Sequence, residues 1–134
     1  MARQTLAAVA LVVPDYDVAI AYYTGVLGFN LIEDTRLSDT KRWVLVAPKQ
    51  SQACRILLAK ASTEEQEAAI GNQTGGRVAF FLYTDDFEGD FASYSAAGVD
   101  FQEEPRNEPY GRVVVFRDAF GNLWDMIQPS QIEA

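Results

Sequence analysis

The chain alternates short apolar runs with polar turns, and the runs form two similar series. Residues 6–13 make an unbroken apolar run closed by Pro14 and Asp15, the signature of a buried strand bounded by a turn. Asp15 can cap a helix that carries Tyr22 and Tyr23 and stops at Gly28, since glycine tolerates the left-handed conformation that ends helices. Strands are predicted over about 29–33, 42–47 and 53–59. The second series opens with a strand over 77–83 and enters a helix through Asp85 or Asp86. Phe87, Phe91 and Tyr94 fall on one face of that helix, and Gly98 ends it. Strands over 99–103, 112–117 and 123–128 follow, the last two joined by the turn 118–122. The predicted order is βαβββ, twice.

A shift of 70 residues superimposes the halves: Asp15 falls on Asp85, Gly28 on Gly98, Glu33 on Glu103 and Arg42 on Arg112. Between them, Ser62, Thr63, Glu64 and Glu65 fit a capping box opening a short helix to about Ile70, and 71–76 is a polar, glycine-rich connector. Module one is expected over about 5–60, the connector over 61–76 and module two over 77–128. Each module is too small to stand as a confident domain, so the 134 residues are expected to form one.

Composition narrows the chemistry. Eleven basic against 19 acidic residues give a net charge of −8, which repels a phosphate backbone and argues against nucleic acid as partner. The run 6–13 is far below the roughly 18 apolar residues of a membrane span and lacks a small-residue cleavage site, so neither membrane nor secretion is expected, and the location is expected to be cytoplasmic. Histidine is absent from the sequence, which removes imidazole acid-base relays, Ser-His and Cys-His nucleophiles and imidazole metal ligands. Cys54, the single cysteine, has no disulfide partner within the chain and reads as a small structural thiol.

Asp15 leading into Tyr22 and Tyr23, the triplet Leu27, Gly28, Phe29, and the later series from Tyr110, Gly111 and Arg112 through Phe116, Arg117 and Asp118 to Gly121, Asn122, Leu123 and Trp124 resemble one family. Together with the duplication they are similar to the vicinal oxygen chelate superfamily, which contains glyoxalase I, bleomycin-resistance proteins, fosfomycin-resistance enzymes and extradiol dioxygenases. The resemblance spans about 5–128. It implies an α+β fold of two tandem βαβββ modules whose curved mixed sheets surround a cup-shaped cavity, and a homodimer. In the superfamily's enzymes it also implies a divalent metal in the cup. The positions matching the ligands are Ala8, the stretch Arg55, Ile56, Leu57, then Arg77, and Asp125. Only one of these offers a carboxylate, so no metal and no cofactor are expected, which argues against metal-dependent glyoxalase I or dioxygenase activity.

The resemblance and strand alternation point Arg77 and Asp125 into the cup, where the arginine could fork onto a ligand carboxylate with Asp125 orienting it; a structural ion pair filling a vacated site is the alternative. Arg77 is expected to push the Asp125 pKa down. Arg55, the repeat partner of Asp125, would be a second inward charge or a solvent-facing one. Phe81 shares parity with Arg77 and is a cavity candidate, and Tyr110 lies in a loop positioned to gate. Trp43 could line a pocket, whereas Trp124, on the face opposite Asp125, is expected to pack under a helix. Glu64, Glu65 and Glu67 read as a solvated face.

The expected function is metal-independent binding of a small organic ligand, sequestering an amphipathic or cationic compound. The alternatives are a metal-free lyase or isomerase using Asp125 and Arg77, and a structural role with no pocket.

Overall fold

The computed structural model describes residues 2–130, and the chain divides into two compact units, one ending at Ile70 and one starting at Gly71. Both are α+β units; the first has the expected βαβββ order, and the second has it with one additional short strand. The first contains β1 (Ala8–Val13), α1 (Tyr16–Ala21), β2 (Asn30–Arg36), β3 (Arg42–Ala47), β4 (Arg55–Lys60) and a short α2 (Glu64–Ala69). Its sheet runs β1-β4-β3-β2, with β1 parallel to β4 and the other neighbours antiparallel. The second contains β5 (Phe80–Tyr83), α3 (Phe87–Ala96), β6 (Asp100–Phe101), β7 (Arg106–Glu108), β8 (Gly111–Arg117) and β9 (Leu123–Pro129). Here the order is β5-β9-β8-β6, with β7 also on β8, and β5 parallel to β9.

Alternation gives each sheet one helix-covered face. In the first unit, Leu11, Val13, Ile56, Leu58, Val44 and Val46 are buried beneath α1, which packs on β3 and β4. Asp15 caps α1 by accepting from the Val18 amide at 2.9 Å, and the helix runs on into a wider turn in which the Leu27 amide reaches back to the Tyr22 carbonyl at 3.2 Å. In the second unit it is Asp86 that caps, accepting from the Gly89 amide at 3.1 Å. Gly28 and Gly98, with φ of 76° and 84°, end the two helical stretches in the left-handed region. The core under α3 is aromatic: Trp124 stacks on Phe116 at 5.7 Å and lies 4.5 Å from Phe80, and Tyr94 meets Phe116 edge-on at 5.6 Å.

The repeated arginines have a shared structural use. Arg42 lies over the Tyr16 ring at 5.1 Å, bonds Asp34 through Nε and Nη2 at 3.1 and 2.7 Å, and reaches Asp17 at 3.0 Å. Arg112 lies over the Phe87 ring at 5.2 Å and bonds Glu88 at 2.7 Å. Each one clamps the first turn of its unit's helix to the sheet through ring face and carboxylate.

The turn 118–122 is organised by a buried carboxylate. Asp118 is 4% exposed and accepts from the Phe120 amide, the Asn122 amide, the Asn122 side-chain amide and the Trp124 indole N–H at 2.9–3.2 Å. This explains the aspartate, asparagine and tryptophan of the sequence motif as one hydrogen-bonded unit.

Several expectations need correcting. β5 begins at Phe80, so Arg77 lies outside it. β7 was not foreseen, because its polar residues show no alternating pattern; ion pairs of Arg106 with Glu103 and Glu108 hold it. The second-unit sheet narrows to two residues at β6. At α2 the cap is Thr63, bonded by the Gln66 amide at 3.1 Å, while Gln66 Oε1 accepts from the Ser62 amide at 2.8 Å, so the box sits one residue later than expected. Glu64, Glu65 and Glu67 are solvent-exposed, as expected. Among the described residues, no helix is long and apolar enough to cross a membrane.

Replacing Asp118 with Ala leaves its buried donors without their acceptor, and an equilibrium urea titration is expected to show a loss of about 3 kcal/mol. The Arg42 clamp is pH-dependent. Its guanidinium holds the Asp34 carboxyl below the ordinary 3.8, chiefly by hydrogen bond; burial opposes this, and the arginine's charge adds to the lowering. The pair's contribution is complete above 3.8 and disappears as pH falls through the lowered folded-state value. The Tm difference between the wild type and Arg42→Gln is therefore expected to be largest near neutral pH and to shrink toward pH ~2, as thermal melts across that range will read.

Candidate functional site

The face of the second sheet opposite Trp124 and Met126 carries the candidate site. Asp125 sits in mid-β9, paired in register with Phe81 of β5 and Val115 of β8, so these three side chains share one face. Phe81 and its neighbour on that face, Tyr83, are 64% and 70% exposed, and both lie on the sheet's edge strand. The Oδ1 atom of Asp125 is buried and has no hydrogen-bond partner among the described residues. Burial pushes this carboxyl above its usual range; the positive charge of Arg106 opposes the shift and the negative charge of Glu103 adds to it.

Arg106 is already committed. Its Nε bonds both carboxylate oxygens of Glu103 at 3.1 Å, and Nη1 bonds Glu108. Its guanidinium is held more firmly protonated than usual, first through the Tyr110 hydroxyl and then through Glu108, Glu103 also contributing. Glu103 in turn accepts from the Val115 amide at 3.0 Å. One cation is thus shared by two carboxylates and a phenol, and Asp125 is left with a partial Coulomb attraction and no direct contact.

Of the residues singled out from sequence, the structure brings Asp125 and Phe81 together and places Tyr110, 53% exposed, beside Arg106. Arg77 is elsewhere: it is exposed in the bend before β5, its carbonyl accepting from the Thr74 hydroxyl at 2.6 Å, and no ion pair joins it to Asp125. The expected Arg77–Asp125 pair and the lowered Asp125 pKa are both corrected. The physical reason is register, since β5 starts three residues later than the apolar pattern implied. Arg55 is exposed at the start of β4, opposite Ala8. It is not the structural counterpart of Asp125. Leu45 and Val115 match at the 70-residue shift, and their partners are Leu57 and Asp125. The β3–β4 loop, 48–54, is longer than the turn 118–122, and the constant spacing fails across it. Sequence reasoning missed Arg106 as a member of the site; the acid-rich stretch Glu103, Glu104, Arg106, Glu108 was the available signal.

The donor set does not fit a divalent ion. Of the positions that match the superfamily's ligands, Ala8 and Arg77 offer no carboxylate, Leu57 takes the counterpart place within 55–57, and Asp125 supplies the one carboxylate. Among the described residues, no group of three or more His, Cys, Asp or Glu is gathered where it could hold a metal. What the arrangement offers is a single desolvated acceptor flanked by exposed aromatic rings.

The chain is similar to a protein of Shewanella frigidimarina (strain NCIMB 400), with 49% identity over 127 residues covering 94% of both chains. The crystal structure of UcmS2 matches with a TM-score of 0.81 at 29% identity, over 94% of this chain and 98% of that one. The crystal structure of TnmS3, an antibiotic binding protein from Streptomyces sp. CB03234, matches with a TM-score of 0.77 at 29% identity, over 97% and 99%. The pattern of one family runs through residues 5–126, nearly the whole chain, and with the duplicated βαβββ units it establishes that this protein belongs to the Glyoxalase/Bleomycin resistance protein/Dioxygenase superfamily.

Proposed function

We propose that this protein is a metal-independent small-molecule binder that sequesters an amphipathic or cationic organic compound, working as a cytoplasmic homodimer in which the two units form one functional domain. The observation that carries the reading is the buried, unpartnered Asp125 Oδ1 beside Phe81 and Tyr83. A ligand N–H, above all a protonated amine, would supply the missing donor while its apolar body covers the rings. Tyr110, exposed beside Arg106, is available to the rim of such a ligand. The likeness to TnmS3, an antibiotic binding protein, supports the same class of role.

A metal-free lyase or isomerase is the second reading, favoured by the raised Asp125 carboxyl, which suits proton transfer. It lacks a free cation to stabilise an enolate, because Arg106 is engaged by Glu103 and Glu108 and Arg77 stands outside β5. Binding is therefore the better-supported function.

The folded protein holds the Asp125 proton more tightly than the unfolded chain does, so ionised Asp125 costs stability as pH rises above the ordinary 3.8 and through the raised folded-state value; below 3.8 there is no cost. Asp125→Asn is expected to raise Tm at pH 8 and leave it unchanged near pH ~3. The same substitution is expected to weaken binding of proflavine, a planar aromatic cation, about tenfold or more by calorimetry. Gained stability with lost binding is the signature of a group kept for ligand recognition. A lower Tm at pH 8 with unchanged proflavine affinity would assign Asp125 a structural role and end this proposal.

A further inference from the structure

The first unit holds a cavity of about 590 Å³, within the size range of small-molecule sites, at the end of its sheet where β3 begins and β4 ends. Trp43, Leu57 and Ala59 provide its apolar lining, and Trp43 is 40% exposed. Three cations also line it: Lys41, Arg42 and Lys60. Arg42 is committed to Asp34, Asp17 and the Tyr16 ring. Lys41 and Lys60 are exposed and have no ion pair among the described residues.

The placement of these lysines runs against the composition. The chain has only three lysines and a net charge of −8, yet two of the three meet at this one cavity. The hollow next to it, which shares Tyr16, Thr40, Arg42 and Lys60, adds Arg36 together with Asp15 and Asp39. Asp15 is spent on the Val18 amide as the α1 cap. Polar groups suited to orienting a head group, Thr40, Ser62 and Gln66, stand on the cavity wall. Gln66 already accepts from the Ser62 amide and hydroxyl through its carbonyl oxygen.

We infer that this cavity is a second ligand site, for an amphipathic anion: a flat apolar body lies against Trp43, Leu57 and Ala59, and a carboxylate, sulfonate or phosphate is held between Lys41 and Lys60. Its chemistry is opposite in sign to that of the Asp125 face, and it stands independently of the function proposed there. Two flexible ammonium groups over an apolar wall recognise a charged head group as point charges and leave selection of the body to the ring surface.

Three naphthalene probes of one shape and different charge separate the outcomes: 2-naphthoate, neutral 2-acetylnaphthalene and 2-naphthylmethylammonium. Calorimetry is expected to show 2-naphthoate binding more tightly than either analogue, with affinity falling as salt is raised. Binding is expected to quench the emission of exposed Trp43, with Trp124, 2% exposed, little affected; Trp43→Phe should abolish the quenching. The double variant Lys41→Gln/Lys60→Gln should melt at the wild-type temperature and bind 2-naphthoate about tenfold or more weakly. Asp125→Asn should leave 2-naphthoate binding intact, so failure at this site and failure at the Asp125 face are read separately. Equal affinity for the three probes, or a double variant that folds and keeps the wild-type affinity for 2-naphthoate, would overturn the assignment.

Discussion

The second unit depends on one buried carboxylate. Asp118 gathers two backbone amides, a side-chain amide and an indole N–H around itself, and in doing so fixes the length and path of the turn between β8 and β9. That turn sets the pairing of Val115 with Asp125 and of Phe116 with Trp124. Side chains alternate along a strand, so a slip of one residue would drive Asp125 into the aromatic core and expose Trp124. The indole bond to Asp118 locks the choice, because it exists only when Trp124 lies on the buried face. Accordingly, the polar site on one face is positioned by hydrogen bonds made on the other.

Two aspartates show how far environment divides the same side chain. Asp34 lies at the surface with a two-pronged arginine contact, and its charge is favoured. Asp125 has been taken largely out of water and faces an arginine already shared among Glu103, Glu108 and Tyr110, and its charge is disfavoured. Coulomb attraction at a distance does not replace a direct hydrogen bond to a desolvated oxygen. Once ionised, such a group costs folding free energy that a neutral residue at the same place would not.

Much of the architecture is legible in the sequence because it rests on strong, local signals. The apolar run before Asp15, the two glycines in left-handed conformation and the aromatic face of α3 each arise from neighbouring residues obeying one periodicity. β7 is invisible for the opposite reason: Arg106, Asn107 and Glu108 are polar, and what makes them a strand is pairing with β8 and a charge network closed through Glu103. The site was half legible. Asp125 was singled out by the family resemblance together with strand alternation, Phe81 by parity and Tyr110 by its loop, but the identity of the cation near Asp125 depended on where β5 begins. An apolar pattern running continuously from Val78 into the strand does not mark that point.

The unequal loops after β3 and β8 bear on how a duplicated gene is compared with itself. Copies that have kept nearly the same length look aligned column by column, and the arginine clamps and helix-ending glycines reinforce that impression. Yet a loop shortened on one side slides a whole strand past its former neighbours, and the residue inheriting a column is no longer the residue inheriting a place. Here the place of Asp125 in the first unit belongs to Leu57, although the column belongs to Arg55. Descent of a site in such proteins is traced through strand partners, with sequence columns as a guide only between one loop and the next.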